Sequence, residues 1–136
     1  MRTLGAFAGA VALTFGLVVG TGSAAGAARS PFTGHWTSVD IVDGSSQRMS
    51  ISGGPAPRVR LHDEGATVCN PDLSIAARVR GAGSVSGSTL SVGFDVTCLT
   101  RPPTLILTGV PFTFDHDPGT GTLTDSDGTV WSRSGS

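Results

Sequence analysis

The chain has 136 residues, with Lys+Arg 9 against Asp+Glu 10 and a formal net charge of −1. That length suits one domain, and the near-neutral balance disfavours a nucleic-acid partner, because duplex binding rests on neutralising many phosphates. The basic side chains are all arginine, since the sequence contains no lysine.

Residues 1–28 read as an export leader. Arg2 supplies a short positive start, and Leu4 to Val19 form an apolar stretch. The small residues from Gly22 to Ala28 suit signal peptidase, which needs small side chains before the cut. Cleavage fits after Ala25, Ala27 or Ala28, with Ala28 preferred, leaving a single all-β domain over 29–136. The competing reading is a membrane anchor. The apolar run, however, falls short of the roughly 20 residues a spanning helix needs and is diluted by Gly5, Gly9 and Gly16. No cysteine lies near the cleavage region, so a lipoprotein is disfavoured. The expectation is a secreted, extracellular protein with no transmembrane anchor after cleavage.

Beyond the leader, period-two alternation recurs between turn residues, the pattern of strands with one buried and one wet face. A first strand spans His35 to Val42, with Val39 and Ile41 in one parity and Trp36 in the other. Gln47, Met49 and Ile51 then alternate with Arg48, Ser50 and Ser52. Val59 and Leu61 alternate with Arg58, Arg60 and His62. Leu73, Ile75, Ala77 and Val79 alternate with Ser74, Ala76, Arg78 and Arg80. The glycine-rich stretch Gly81 to Gly87 reads as a loop. Leu90, Val92, Phe94, Val96 and Cys98 alternate with Ser91, Gly93, Asp95 and Thr97. Leu105 to Phe114 is apolar on both parities and predicts a long strand with a bulge or bend near Gly109. Two short strands follow, near Thr122 to Thr124 and Thr129 to Arg133.

Turn sequences such as Asp43-Gly44-Ser45, Ser86-Gly87-Ser88 and Asp127-Gly128 connect these segments. Strands joined so closely pair with their neighbours, and closing the meander removes its exposed edges. The pattern predicts a small antiparallel up-and-down barrel of about eight strands, with a β-sandwich as the alternative. The inward residues read as Val, Ile, Leu, Met and Phe with almost no polar group. A filled barrel or one admitting a small apolar guest is therefore expected, rather than a polar-ligand pocket of the biotin-binding kind.

Two cysteines, Cys69 and Cys98, lie in the exported part. In an oxidising compartment such a pair reads first as a disulfide; a free catalytic thiol and a metal pair are the alternatives.

Gly34-His35-Trp36 and the terminal Leu123-Thr124-Asp125, Gly128 and Trp131-Ser132-Arg133 together resemble the calycin pattern of lipocalins and avidins. That resemblance implies that Gly34 and Trp36 form the early G-x-W at the closed end of a barrel, with Arg133 covering the Trp. Trp131 belongs to the terminal motif. The chain is also similar to short, uncharacterised secreted bacterial proteins. These share G-x-W, a D-x-D-G-S segment followed by alternating apolar residues (matched here by Asp40, Asp43, Gly44 and Ser45, with one residue more between the two acids), a central cysteine pair and the terminal motif. The shorter chain, without a C-terminal helix, departs from lipocalins.

Five arginines, Arg48, Arg58, Arg60, Arg78 and Arg80, fall on the polar parity of their strands. If those strands are neighbours, one outer surface could hold an anionic partner such as a cell-wall polymer; a solvated sheet face is the plain reading. His62 beside Asp63 and Glu64, and His116 between Asp115 and Asp117, suggest general-base couples, but no serine sits in a G-x-S-x-G context. The acids Asp115, Asp117, Asp125 and Asp127 hold only a fragment of a calcium loop. No cofactor and no metal are expected. Whether the protein is an enzyme stays open, with a non-enzymatic role preferred: a binding or envelope-associated module whose partner is an anionic polymer or a small apolar molecule. The alternatives are an inhibitor or toxin-like protein presenting the Thr100-Arg101-Pro102-Pro103 loop to an extracellular protein and, last, a small hydrolase.

Overall fold

The structure, a computed structural model, describes residues 29–135. The expected leader and its cleavage positions lie outside them. Eight strands follow in chain order: β1 (Gly34–Val39), β2 (Ser46–Ser52), β3 (Arg58–Asp63), β4 (Ala77–Ser86), β5 (Thr89–Cys98), β6 (Thr104–Asp117), β7 (Thr122–Asp125) and β8 (Val130–Arg133). Each pairs antiparallel with its sequence neighbour, and β8 returns to β1 through Trp36 opposite Arg133 and Thr37 opposite Ser132. The fold is a closed, all-β up-and-down barrel.

Alternation builds the inside. On β5, Leu90, Val92, Phe94, Val96 and Cys98 are buried while Ser91, Gly93 and Asp95 are exposed. Met49, Ile51 and Val59 meet them from β2 and β3, and Phe114, Leu123 and Trp131 complete the main core. Burying each such side chain contributes about 1.5–3 kcal/mol. Phe94, Phe112 and Phe114 stack with ring centroids 5.4–6.2 Å apart, and Phe114 meets Trp131 edge-on at 6.2 Å.

Three segments correct the expected boundaries. The first strand, expected to run to Val42, ends at Val39, and Ile41 and Val42 are exposed in the turn that follows. The strand expected from Leu73 begins only at Ala77: Leu73 is 62% exposed, in a loop that runs over 64–76. The stretch Gly81 to Ser86, expected as loop, is the second half of β4. The reason is space. Gly81 and Gly83 share the inward parity of Ala77 and Val79, and a Cβ at Gly81 would stand 2.5 Å from Gly93 O and Val92 Cγ1. The bulky inward residues of β5 fill the interior there, so β4 carries glycine facing them and its alternation disappears from the sequence.

The register between β5 and β6 shifts twice. Thr108 and Gly109 together face Asp95, and one further residue, Ile106, is inserted between Val96 and Thr97. Gly109 adopts φ +64°, and its N–H donates to Asp95 Oδ1 at 3.0 Å. The Gly109 bulge is thus held by a side chain of the neighbouring strand.

The up-and-down order places the loops over 40–45, 64–76, 99–103 and 126–129 at one end, here called the mouth. Cys69 and Cys98 are disulfide-bonded, tying the 64–76 loop to the end of β5. The inner face at the mouth is not apolar as expected: Gln47, Asp63, Asp125 and Thr129 are all buried. Polar groups survive burial there because they bond one another and nearby backbone groups.

Candidate functional site

The outer wall of β2, β3 and β4 gathers the arginines. One cross-strand row runs Arg48, His62, Arg78, and the next runs Ser50, Arg60, Arg80. Arg58 lies one row further along β3, opposite Ala82. Neighbouring strands stand about 4.8 Å apart, and same-face residues along a strand about 7 Å, so the guanidinium groups share one patch. His35, Thr37, Arg48, Arg60, Arg78 and Arg80 line a groove of about 450 Å³ there. Arg58, Arg60 and Arg80 line an adjoining one with Asp95.

Little on this wall neutralises the charge. Among the described residues the one ion pair is Arg48 with Glu64, at 2.9 Å and exposed. Asp95 is Arg80's neighbour on β5, yet its carboxylate is engaged by the Gly109 N–H and forms no ion pair. Arg58, Arg60, Arg78 and Arg80 therefore present four guanidinium groups without an ionic partner.

The closed end is built on Trp36. Its indole N–H donates to the Phe32 carbonyl at 2.8 Å, and the Arg133 guanidinium lies 4.4 Å from the ring centroid. Arg133 also donates to the carbonyls of Thr33, at 2.9 Å, and Pro31. Gly34 is the residue that lets Arg133 pass. Trp131, one strand-residue pair away, donates its indole N–H to Asp125 Oδ2 at 2.9 Å. Asp125 Oδ1 accepts from the backbone N–H groups of Asp127 and Thr129 at 3.0 and 2.9 Å. Its carboxylate thus organises the β7–β8 turn rather than a calcium loop.

Among the described residues neither His62 nor His116 forms a hydrogen bond or ion pair with its sequence-adjacent acids. Alternation turns His62 outward and Asp63 inward. Asp115 accepts from Thr89 at 2.5 Å, Asp117 from Gly119 and Thr120 of the following turn, and the His116 ring packs on Phe32. Three bonds in that turn hold the Asp117 carboxyl below its ordinary range.

A second concavity opens at the mouth, a cavity of about 280 Å³. Leu61, Phe94, Val96 and Phe112 line it, together with Asp40, Gln47, Asp63 and Asp127. Gln47 Nε2 donates to Asp40 Oδ2 at 3.0 Å and to Asp63 Oδ2 at 3.1 Å. Asp63 Oδ1 accepts from Ser45 Oγ and from the Gly65 N–H. Burial raises the Asp40 carboxyl above its ordinary range; a bond from the Val42 N–H opposes this, and the charges of Asp43, Asp63 and Asp125 add to it. Neighbouring Asp43 goes the other way: desolvation would raise it, but bonds from Ser45 and Thr67 outweigh that and lower it. The sequence places Asp63 only beside His62 and Asp40 only in the turn motif, and it does not bring Asp40, Gln47 and Asp63 into one site. Their one sequence signal is that Gln47 and Asp63 share the inward parity of Met49 and Leu61.

No protein-family model, no curated protein and no solved structure matches this chain. The class that the coordinates define is a small closed eight-stranded β-barrel with one disulfide, a cationic flank and an acidic mouth.

Proposed function

We propose that this is a secreted, non-enzymatic binding module of calycin-like type, which holds an anionic cell-wall polymer on the arginine flank formed by β2, β3 and β4. The single observation that carries this reading is the set of Arg58, Arg60, Arg78 and Arg80, side by side and without ionic partners. Guanidinium groups suit repeated phosphate or carboxylate groups because each offers a planar fork of donors. A linear polymer meets several at once, so modest individual contacts combine by effective concentration. The disulfide agrees with an oxidising compartment.

The test is sedimentation with purified cell wall and with the same wall stripped of its anionic polymer, at low and high salt. Binding is expected to need the polymer, to weaken steeply as salt screens the charges, and to fall in Arg60→Ala/Arg80→Ala. Retention by stripped wall, or indifference to salt and to both substitutions, would sink the reading. Equal affinity for duplex DNA would replace the cell-wall assignment with a general polyanion one.

A second reading has one feature in its favour. The loop with Arg101 is exposed and runs into Leu105, Ile106 and Leu107, which are also exposed. An inhibitor presenting this segment to an extracellular protein would lose binding in Arg101→Ala and Leu105→Ser but not in the flank variant.

A further inference from the structure

The mouth cavity has a chemistry opposite to that of the flank. The carboxylates of Asp40, Asp63 and Asp127 all line it, and none of them forms an ion pair. Ionised carboxylates only accept hydrogen bonds. Gln47 adds a fourth acceptor. Its residue is 8% exposed, and its Nε2 is committed to Asp40 and Asp63, so turning the amide would set its oxygen against two carboxylates. Oε1 is left buried without a partner, the one such side-chain atom among the described residues. A buried acceptor without a donor costs about 1–3 kcal/mol, and clustered like charges add to that cost.

Below these acceptors the wall is apolar: Leu61, Phe94, Val96 and Phe112. Val42 at the lip is 72% exposed. An occupant that matches must bring positive charge and N–H donors at one end and an apolar body at the other. The cavity lies just below the usual size range for drug-like ligands, roughly 300–1,000 Å³, so that body is small. A bare metal ion fits poorly, because among the described residues no group of three or more His, Cys, Asp or Glu is placed to hold one.

We infer that the barrel mouth is a binding site for a small organic ammonium with an aromatic or branched aliphatic body, its N–H groups directed to Asp40, Asp63 and Gln47 and its body seated on Phe94 and Phe112. This site is independent of the arginine flank. The raised Asp40 carboxyl fits the same picture, since a cation beside it would favour the charged form and offset the effect of burial.

The test uses the mature chain with three probes of similar shape: phenethylammonium, neutral 3-phenylpropanol and anionic 3-phenylpropanoate. Titration calorimetry gives affinity, and the methyl resonance of Ala77, which lines the cavity, reports location. Phenethylammonium is expected to saturate with a shift at Ala77. The alcohol should bind at least about tenfold more weakly, and the carboxylate should not bind. Asp40→Asn and, at the exposed rim, Asp127→Asn should each weaken the ammonium several-fold while the far-ultraviolet dichroism of the barrel stays unchanged, and Arg60→Ala/Arg80→Ala leaves the affinity untouched. Absence of saturable ammonium binding, equal affinity for the alcohol, or full affinity in both carboxylate variants would overturn the inference. If Asp40→Asn fails to fold, Asp127→Asn decides alone.

Discussion

Gly34 stands where a Cβ would lie 2.7 Å from Nη1 of Arg133, the side chain that covers Trp36. The residue also has φ +142°, a region that L side chains rarely adopt. Two separate causes, backbone and packing, therefore demand glycine here. Gly34→Ala is expected to cost about 1–3 kcal/mol in urea unfolding. Arg133→Ala is expected to cost about 1–2 kcal/mol through the lost cation–π contact and carbonyl bonds. The double variant should cost less than the sum, because removing the guanidinium also removes the clash. Strict additivity would show that the two residues do not share this space.

Asp125 is the buried acceptor for three donors, the Trp131 indole and the N–H groups of Asp127 and Thr129. Asp125→Ala leaves them without a partner and is expected to lower stability by about 2–4 kcal/mol, with a red shift in tryptophan fluorescence as water reaches the indole. Asp125→Asn keeps one acceptor oxygen and should cost about half as much. A change below about 0.5 kcal/mol in the alanine variant would refute this role.

The two faces of the barrel can be told apart with glycine itself. A Cβ at Gly83 would stand 2.7 Å from Ser91 O and 2.8 Å from Leu90 Cδ1, whereas at outward Gly93 the nearest atom is 3.9 Å away. Gly83→Ala is expected to destabilise by about 1–3 kcal/mol through overpacking. Gly93→Ala should be neutral or stabilise by up to about 1 kcal/mol, because glycine is costly in a strand. Equal effects in thermal melts would mean that the inside and outside of β4 and β5 are misassigned.

Reduction of the disulfide should loosen the mouth without opening the barrel. The bond spans a sequence separation of 29, which corresponds to roughly 3–4 kcal/mol in the chain-entropy treatment. Cys69→Ser/Cys98→Ser is expected to lower the urea midpoint and leave the far-ultraviolet dichroism of the folded state unchanged. Loss of the β spectrum in buffer would show that the barrel depends on the bond.

Acid sensitivity should trace in part to Asp43, alongside Asp117. The Asp43 carboxyl is lowered in the folded protein by Ser45 and Thr67, so it contributes stability above its unfolded value, 3.8, that is lost as pH falls through the lower folded value. Asp40 is raised, so its ionised form costs stability at neutral pH, and that cost disappears as pH falls through its folded value. Asp43→Asn should therefore destabilise at neutral pH and approach wild type once pH has fallen below the folded value of that carboxyl. A constant deficit across that range would point to lost packing instead.

Strand order, barrel closure and the cysteine pair were legible because period-two alternation survives in β2, β3 and β5 and short turns leave few other pairings. The arginines were legible only by parity: that Arg60 stands directly opposite Arg80 depends on a register the sequence does not encode locally. β4 escaped because the glycines that make room for Val92 and Phe94 look like a loop when their partners are out of view. The mouth escaped for a related reason. Gln47 and Asp63 read as polar strand ends until the barrel brings them together with Asp40 of the turn between β1 and β2.

The direction of the strands gives the molecule an orientation. The arginine rows lie along its flank, whereas the cavity opens at one tip. A copy resting sideways on a polyanionic sheet would keep that opening facing the surrounding fluid, so being tethered and sampling passing solutes need not compete.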